Sequence, residues 1–408
     1  MKKYKYKIIF ILNVLIMTFL VGMSLFNEFP IKAQAAKNIN ISIIDSEGGN
    51  EYFTYIDDEG NTVTLNSGTI ESGTQIKLIA NAEEDYQFAY WIYTLNGNIK
   101  KLSDNESVSV TVKQDYQFTA VYVHKDKVLV TFYDNGEKTI LDYQIIDKGG
   151  NCTKVEIPHL KGMKTKGWDH SLKNITSNLD VKPIYKATVG SVFVDYAPEF
   201  FKGLGITLAF SVISVFLALF LGAVLCLGKV SEIKPLEIIT TAYIEIIRGV
   251  PLLLQLLLIY ALMPRIDYGK FLNSEIIAAI LALFLNSGAY VAEIFRSGIQ
   301  AVDKGQMEAG RALGLSKWQT MRKVIIPQAI KNVLPSIGNE LIMVIKETSL
   351  ASTVDAGIGE LMSVKKQITA SSFINIPPFI VIAAMYFVVT FSLSKVVGYI
   401  ERRLEARD

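Results

Sequence analysis

Histidine and cysteine are scarce in this chain of 408 residues, which contains three of the former and two of the latter. The histidines, His124, His159 and His170, show neither metal-ligand spacing nor a paired nucleophile, so we expect solvated or packing roles for them. Cys152 and Cys226 lie in different halves of the chain, and Cys226 falls within an apolar segment. The sequence therefore predicts neither a disulfide nor a metal site.

An excess of one charge is also missing, because 41 lysines and arginines face 39 aspartates and glutamates. Such a balance gives no global basic character that would favour nucleic acid as a partner. The chain also lacks the G-x-x-x-x-G-K-[ST] pattern of a P-loop, and residues 310–317 do not have that spacing. We therefore expect that this chain does not bind ATP through a P-loop. No catalytic set is visible in the β region either, and we expect a chain that is not an enzyme and has no cofactor of its own.

Long apolar runs are absent between about residues 37 and 196, whereas they dominate the chain after Tyr196. An earlier apolar run, Ile8 to Phe26, follows four lysines within the first seven residues and precedes the small-x-small triplet of residues 33–35. This order predicts a signal peptide over residues 1–36. The alternative is an uncleaved anchor, because the run approaches the length that spans a bilayer.

Residues 37–188 alternate apolar and polar side chains in short runs separated by turn residues, which predicts an all-β region. Examples are residues 75–80, 107–112 and 117–123. Similar Trp-to-Tyr patterns near Trp91 and Trp168 divide the region into modules over 37–124 and 125–188. The pattern resembles internalin-type B repeats. We expect a spacer or docking module in which the tryptophans are core residues, with a sugar-binding platform as the alternative.

Five apolar segments follow Phe200, each close to the roughly 20 residues that cross a bilayer as a helix. They cover residues 204–227, 236–263, 275–295, 330–350 and 378–400. Cations collect after the first and third segments and in the C-terminal tail, which is one side of a five-span topology. The sequence thus predicts a multi-domain protein, an extracellular all-β region followed by an α-helical membrane domain of five transmembrane helices over residues 196–408, with a cytoplasmic C-terminus.

A polar stretch from Gly305 to Pro327 separates the third and fourth apolar segments. Good helix formers, a turn at Gly314, a capping box from Ser316 to Gln319 and a change of direction at Pro327 predict a helical hairpin. A soluble hairpin of this kind would suggest DNA binding, but this one is tethered to the bilayer at both ends. We therefore predict that it docks a protein partner and not nucleic acid.

The hairpin resembles the cytoplasmic EAA loop of permease subunits in binding-protein-dependent ABC importers, here over residues 297–331. The spacing is retained, with Gly310 in place of the second alanine, and the corresponding coupling residues are Glu308, Ala309, Gly310, Gly314 and Pro327. The resemblance implies that this loop is held by an ATPase subunit, that Glu308 pairs with a cation there and that Gly314 permits the bend.

Further elements from about Phe200 to the C-terminus resemble the polar amino-acid branch of that family. They include residues 243–251 (YIEIIRGVP), 292–300 (AEIFRSGIQ) and 346–350 (KETSL), the last with glutamate where the family has aspartate. The resemblance implies a type I importer permease fold in a bacterial cell membrane. It also implies as partners an ATPase dimer that binds ATP and Mg²⁺, an extracellular solute-binding protein, a second permease subunit and an amino-acid substrate.

Polar residues inside the apolar segments are candidates for substrate contacts, because charge within a bilayer is costly unless it faces a cavity or a partner. These candidates are Arg248, Gln255, Asn286, Tyr290, Glu293, Glu340, Lys346, Glu347 and Ser349. Hydrogen bonds between helices, or side chains that reach the membrane interface, are the competing interpretation. A second functional hypothesis is an adhesive or sensory surface protein whose membrane domain does not transport.

Overall fold

The computed structural model describes residues 38–135, 139–263, 274–354 and 358–405. The chain divides into two compact units, which we call the β unit, Met1–Ile157 with Gly167–Ile184, and the helical unit, Pro158–Lys166 with Tyr185–Asp408. The predicted order, a β-rich region followed by a helical domain, is confirmed. The predicted signal segment, residues 1–36, lies outside the described residues.

Fourteen strands occur in the described part of the N-terminal region. They are β1 Asn38–Ile44, β2 Gly49–Ile56, β3 Thr62–Leu65, β4 Ser67–Glu71, β5 Gln75–Ala82, β6 Tyr86–Leu95, β7 Asn98–Ser103, β8 Ser107–Thr111, β9 Tyr116–His124, β10 Lys127–Tyr133, β11 Thr139–Asp147, β12 Met163–Trp168, β13 Leu179–Val181 and β14 Pro183–Ala187. The predicted strands over residues 75–80, 107–112 and 117–123 are confirmed as β5, β8 and β9.

These strands form an eight-stranded sheet in the order β13-β10-β11-β7-β6-β9-β1-β4, a four-stranded sheet in the order β3-β2-β5-β8, and the pair β12-β14. The larger sheet contains strands from both predicted modules, because β11 pairs with β7, with Thr139 opposite Lys100. The division at residue 124 therefore falls within one continuous sheet, and the module boundaries stay a prediction.

The main core of the β unit contains side chains from both of its larger sheets, among them Phe53, Leu78, Trp91 and Phe118. Trp91 is completely buried, and its indole nitrogen donates a hydrogen bond to the Glu106 carbonyl at 3.2 Å. A buried indole cannot stack on a sugar, so the sugar-platform alternative is wrong for Trp91. The expected core role is confirmed.

The helical unit contains ten α-helices within the described residues. They are α1 Val189–Asp195, α2 Ala197–Lys229, α3 Lys234–Gly249, α4 Leu252–Leu262, α5 Ser274–Gln300, α6 Lys304–Ala312, α7 Lys317–Thr320, α8 Ile326–Glu347, α9 Leu361–Ser372 and α10 Ile376–Glu405. A π-helical turn, Met321–Ile325, joins α7 to α8, and a 3-10 segment, Thr348–Thr353, follows α8. The sequence did not predict α9, which lies in an expected loop.

Three of the described helices, α2, α5 and α10, are long and apolar enough to cross a membrane, and the bent pair α3 and α4 could form a fourth span. A continuous second span over residues 236–263 is wrong, because these two helices meet at 106°. Pro251 cannot donate the helical hydrogen bond, and Val250 before it adopts an extended conformation, with φ −104° and ψ 132°. The count of five spans stays a prediction.

Small residues bring the long helices close together. A Cβ at Gly222 of α2 would lie 2.5 Å from a methyl carbon of Val291, and a Cβ at Gly298 of α5 would lie 2.1 Å from one of Val333. Such close approach is how membrane helices gain van der Waals contact where lipid tails remove the hydrophobic drive to associate. These contacts position α2, α5 and α8 around the site described next.

Candidate coupling hairpin and membrane site

The polar stretch between α5 and α8 folds as the predicted hairpin. Its first arm is α6, whose start is capped by Asp303, with the side chain accepting a hydrogen bond from the Gly305 backbone nitrogen at 2.6 Å. Half-buried Met307 packs against a cluster that includes Val302 and Ile325. This contact fixes one face of α6 against the beginning of α8 and leaves the opposite face in solvent.

The turn after α6 is a Schellman motif. The Leu315 nitrogen donates to the Gly310 carbonyl at 3.1 Å, and the Gly314 nitrogen donates to the Arg311 carbonyl at 3.1 Å. Gly314 has a φ of +81°, in the left-handed region that glycine enters without a Cβ penalty. The bend expected at Gly314 is therefore built from two backbone hydrogen bonds and one positive φ.

The second arm begins with the predicted capping box. The Ser316 hydroxyl accepts from the Gln319 nitrogen at 3.2 Å, and the Gln319 side chain accepts from the Ser316 nitrogen at 2.8 Å. The backbone then stays helical from Lys317 to Glu347, so the expected change of direction at Pro327 does not occur as a break. Pro327 lies just after the π-helical turn, where the hydrogen-bond register of the helix already changes, so its missing N–H does not end the helix.

Gly310, the departure from the E-A-A pattern, joins the two arms. A Cβ at this position would lie 2.4 Å from the Thr320 methyl carbon and 2.9 Å from its hydroxyl oxygen. Thr320 is itself completely buried. The side chain at 320 therefore occupies the space that an alanine at 310 would need.

We expect Gly310→Ala to open the hairpin, because the methyl carbons cannot both fit, and to lower at least fivefold the amino-acid uptake that the family resemblance implies. Thr320→Ser removes the nearer of the two contacting atoms and keeps the hydroxyl that bonds to the Ser316 carbonyl at 3.1 Å. The double variant should therefore recover most of the lost uptake. Uptake by the single variant at the wild-type rate would contradict this packing relation.

The solvent-facing side of the hairpin carries the predicted Glu308 and Ala309 together with two large apolar side chains. Leu313 is 83% exposed and Trp318 is 65% exposed. Aromatic and apolar anchors beside an acidic residue make up the kind of surface that docks a protein. Leu313 and Trp318 were missed by motif reasoning, although an exposed tryptophan in a polar stretch is a visible signal.

The hairpin is also tied to the α2–α3 connection by an ion pair. The Lys317 ammonium lies 2.5 Å from a carboxylate oxygen of Glu232, with both side chains largely exposed. The hydrogen bond to Lys317 lowers the pKa of the Glu232 carboxyl. A pair this exposed contributes little to stability, so it helps to orient the hairpin more than to hold it.

Two candidate carboxylates lie on α8, the helix that corresponds to the predicted fourth span. Glu340 accepts a hydrogen bond from the Ser287 hydroxyl at 2.7 Å, and Glu347 lines a narrow cleft whose other walls include Leu252, Leu256 and Ala279. Both carboxylates are half-buried. In the described part of the chain, neither forms an ion pair with a lysine or arginine. A carboxylate on apolar walls is costly unless it is paired, so a positively charged ligand group would be stabilised beside it.

Other candidates have partners within the protein. The guanidinium carbon of Arg248 lies 5.2 Å from the centre of the Tyr290 ring. The Gln255 amide nitrogen donates to the carbonyls of Ile247 and Val250, at 2.7 and 2.8 Å, and so satisfies the broken end of α3. The Gln255 side-chain oxygen is buried and has no hydrogen-bond partner among the described residues.

The remaining candidates are placed differently. Asn286 is buried in α5, whereas Lys346 at the end of α8 is exposed. The Ser349 hydroxyl donates to the Lys346 carbonyl at 2.7 Å, a bond within its own turn. The Glu293 carboxylate lies 2.6 Å from the Lys229 ammonium and 2.7 Å from an Arg296 nitrogen. Glu293 therefore has two cationic partners within the protein, and it is not among the residues that line the cleft at Glu347.

Glu293→Gln should lower the stability of the helical unit, because Lys229 and Arg296 would then face each other without a counter-charge. We expect the melting temperature in detergent to fall by several degrees, with about 2–4 °C lost for each kcal/mol in a domain of this size. The Michaelis constant for uptake should change little. A raised Michaelis constant with an unchanged melting temperature would instead make Glu293 a substrate contact.

Glu360 is a buried acidic residue that the sequence reasoning missed. It caps α9, accepting hydrogen bonds from the backbone nitrogens of Met362 and Ser363 at 2.8 and 2.7 Å, and Tyr386 of α10 donates to it at 3.4 Å. The backbone nitrogen of Leu361, the residue directly after Glu360, donates to the Thr207 hydroxyl of α2 at 3.2 Å. The signal was available, since Leu361, Val364 and Ile368 repeat at helical spacing after a capping residue.

These features define an integral membrane protein that exposes a folded polar hairpin. A family model described as the inner membrane component of binding-protein-dependent transport systems matches residues 214–406, and one described as a divergent InlB B-repeat domain matches residues 53–126. The permease resemblance is therefore confirmed, and the B-repeat resemblance is confirmed over residues 53–126, which lie almost entirely in the first predicted module.

Three curated relatives match the C-terminal half of the chain. The arginine transport system permease protein ArtQ of Bacillus subtilis is 38% identical over 53% of this chain and 98% of its own length. The putative glutamine transport system permease protein GlnP of Rickettsia bellii is 40% identical, over 50% of this chain and 91% of its own. The nopaline transport system permease protein NocM of Agrobacterium fabrum is 34% identical, over 50% and 88%.

A solved structure titled as an amino acid ABC transporter with histidines is 45% identical, over 52% of this chain and 96% of that one, with a TM-score of 0.48. Because this chain covers almost the whole length of permease relatives, it belongs to the family of binding-protein-dependent transport system inner membrane components. It is a permease subunit and not an enzyme, and the ATP that drives such systems is hydrolysed by a separate ATPase.

Proposed function

We propose that this protein is the translocation subunit of an amino-acid importer whose α6–α7 hairpin is the joint to the ATPase. The exposed surface of Glu308, Leu313 and Trp318 carries this proposal, because a closed Schellman turn and a capping box hold it rigidly in solvent. Preorganised surfaces of this kind lose little entropy on binding.

The proposed assembly contains two ATPase subunits, which bind ATP and Mg²⁺, a second permease subunit and a solute-binding protein. The polypeptide crosses the bilayer five times, with the bent pair α3 and α4 as the second span and α8 as the fourth. The β region lies outside, and the hairpin and C-terminus lie in the cytoplasm. The distribution of lysine and arginine supports this orientation.

Within the spans, the proposed substrate contacts centre on Glu347 and Glu340. Arg248, at the end of α3, and Tyr290 of α5, whose ring centre lies 5.2 Å from the Arg248 guanidinium carbon, are the other proposed contacts. An amino acid brings an ammonium that suits an unpaired carboxylate, and it brings a carboxylate that suits an arginine. Two of the relatives are named for arginine and glutamine, so these two amino acids are the first substrates to test.

Co-purification and uptake test the proposal together. The full chain, expressed with the ATPase and solute-binding protein of its own organism, should retain the ATPase in detergent and accumulate labelled arginine or glutamine in an ATP-dependent manner. An impermeant maleimide should label Cys152 in intact cells, because the β region is proposed to lie outside. Failure to retain any ATPase would refute the coupling role. Labelling of Cys152 only after the cells are permeabilised would refute the orientation.

A further inference from the structure

A short segment from the N-terminal region belongs to the helical unit. Residues 158–166, which we call the strap, group with the helices, whereas the chain on either side groups with the β unit. The strap lies outside the residues that match either family model. The chain therefore adds to the permease a peptide that the permease family model does not contain.

Gly162 is the centre of the strap and is bonded on both sides of its backbone. Its nitrogen donates to the Asp195 carboxylate at 2.6 Å, and its carbonyl accepts from the Ser191 hydroxyl at 2.9 Å. A Cβ at this position would lie 2.8 Å from the terminal methyl of Ile374 and 2.9 Å from a ring carbon of Tyr196, and its φ is +81°. Only glycine fits both this conformation and this space.

The neighbours of Gly162 strengthen the attachment. The Lys161 ammonium lies 2.8 Å from the Glu199 carboxylate and 4.4 Å from the centre of the Tyr196 ring. A ring nitrogen of His159 lies 3.3 Å from Asp195. These contacts hold the strap on α1 and on the first turn of α2.

The strap also packs on the cluster that joins α2 to the α9–α10 turn. Met163 packs against buried residues that include Phe200 of α2, Leu361 of α9 and Ile374 of the turn. The Ile374 carbonyl accepts a hydrogen bond from Thr369, which fixes the turn internally at 2.9 Å. The strap therefore contacts two elements that are far apart in the sequence and meet at one end of the membrane domain.

We propose that the strap is a latch that holds the α9–α10 turn against the beginning of α2 and thereby controls the outer mouth of the permease. On this proposal the turn and the beginning of α2 separate when substrate enters, and every contact that favours the packed arrangement opposes that separation. Because both ends of the strap continue into the β unit, a ligand or force acting on that unit can loosen or tighten the latch. This regulation rests on the proposed import function.

The test uses a reporter that the strap does not touch. Ser363 of α9 is completely buried beside Glu360, so Ser363→Cys in full-length protein with Cys152→Ser and Cys226→Ala reports the opening of the turn. Gly162→Ala should speed labelling of this cysteine by an impermeant maleimide at least tenfold. The matched control is Gly167→Ala, where φ is +110° but nothing lies within 4 Å of the new methyl, and labelling should stay within twofold of the parent.

Two further variants separate the latch from general loosening. Ile374→Val removes the nearer of the contacting atoms, so adding it to Gly162→Ala should slow labelling at least threefold relative to Gly162→Ala alone. Lys161→Glu should speed labelling about twofold to fivefold, which corresponds to the free energy of a partly exposed ion pair. Adding Glu199→Lys to Lys161→Glu restores an ion pair with the charges exchanged and should reverse that change. Lys164→Glu, the same charge change at an exposed position of the strap, is the control.

Uptake measured on the same variants completes the test. Gly162→Ala should raise amino-acid uptake at least threefold while the ATPase is still retained, because the latch opposes the separation that admits substrate. Unchanged labelling would overturn the latch, and faster labelling with wild-type uptake would overturn its control of the mouth. If even the parent protein shows no uptake, the import function fails, and the labelling rates still decide whether the strap holds the turn.

Discussion

Protein carrying Glu308→Lys is expected to lose at least 90% of its amino-acid uptake while it still reaches the membrane. Glu308 is exposed on the first arm of the hairpin, and among the described residues it forms no ion pair. A carboxylate that pairs with a cation on the ATPase would become a like charge, and juxtaposed like charges cost several kcal/mol across an interface. A loss of only about 1.4 kcal/mol already reduces an affinity tenfold.

The same variant should also lose its ATPase during purification. Glu401→Lys is the matched control, because it makes the same charge change at an exposed position near the C-terminus, on the side proposed to be cytoplasmic. It should retain both uptake and ATPase. Full activity of the Glu308→Lys protein would show that the hairpin does not couple through this residue.

Glu347→Gln should have a comparably large effect on substrate binding, with uptake at least tenfold lower and the ATPase still bound. The Glu347 side chain lines a cleft whose walls include Leu256 and Ala279. Among the described residues, no lysine or arginine forms an ion pair with Glu347. An amide of the same size keeps the packing and removes the charge that would bind an ammonium group. The loss should therefore appear in transport and leave assembly unchanged.

Glu347→Asp is the control for that prediction. The related permeases are expected to carry aspartate at this point of the K-E-T-S-L segment, and aspartate retains the negative charge one methylene shorter. Uptake should stay within about threefold of wild type. Equal uptake by the Gln and wild-type proteins, measured with both arginine and glutamine, would remove Glu347 from the substrate path.

Local chemistry made several parts of this protein predictable. The capping box at Ser316 and the turn at Gly314 depend on neighbours within a few residues, so the sequence contains all the information they need. The strands β5 and β8 are visible because apolar and polar side chains alternate, so that one face is less exposed than the other. In β9 the residues from Ala120 to Val123 are all buried, and a short apolar run marks the strand. The permease and B-repeat families were recognisable for a related reason, since each motif is a set of residues at fixed separations in the sequence.

Contacts between distant segments were not predictable. The Asp195 carboxylate bonds to the Gly162 backbone 33 residues earlier, and Glu293 pairs with Lys229 across 64 residues. The sequence made Glu293 a candidate substrate contact, but it could not reveal that two cations lie beside its carboxylate. The 106° bend between α3 and α4 was likewise hidden in a segment whose composition reads as one apolar run, although Pro251 marks its position.

The sequence by itself determined the family of this protein, the order of its β and helical parts and the existence of a polar hairpin, because each depends on composition or on residues close together in the chain. Tertiary structure alone decided that Gly310 must be small beneath Thr320, that Glu347 lies on apolar walls without an ion pair among the described residues, and that the strap belongs to the membrane domain. The reason is physical: space, charge partners and burial are properties of segments that meet only when the chain has folded.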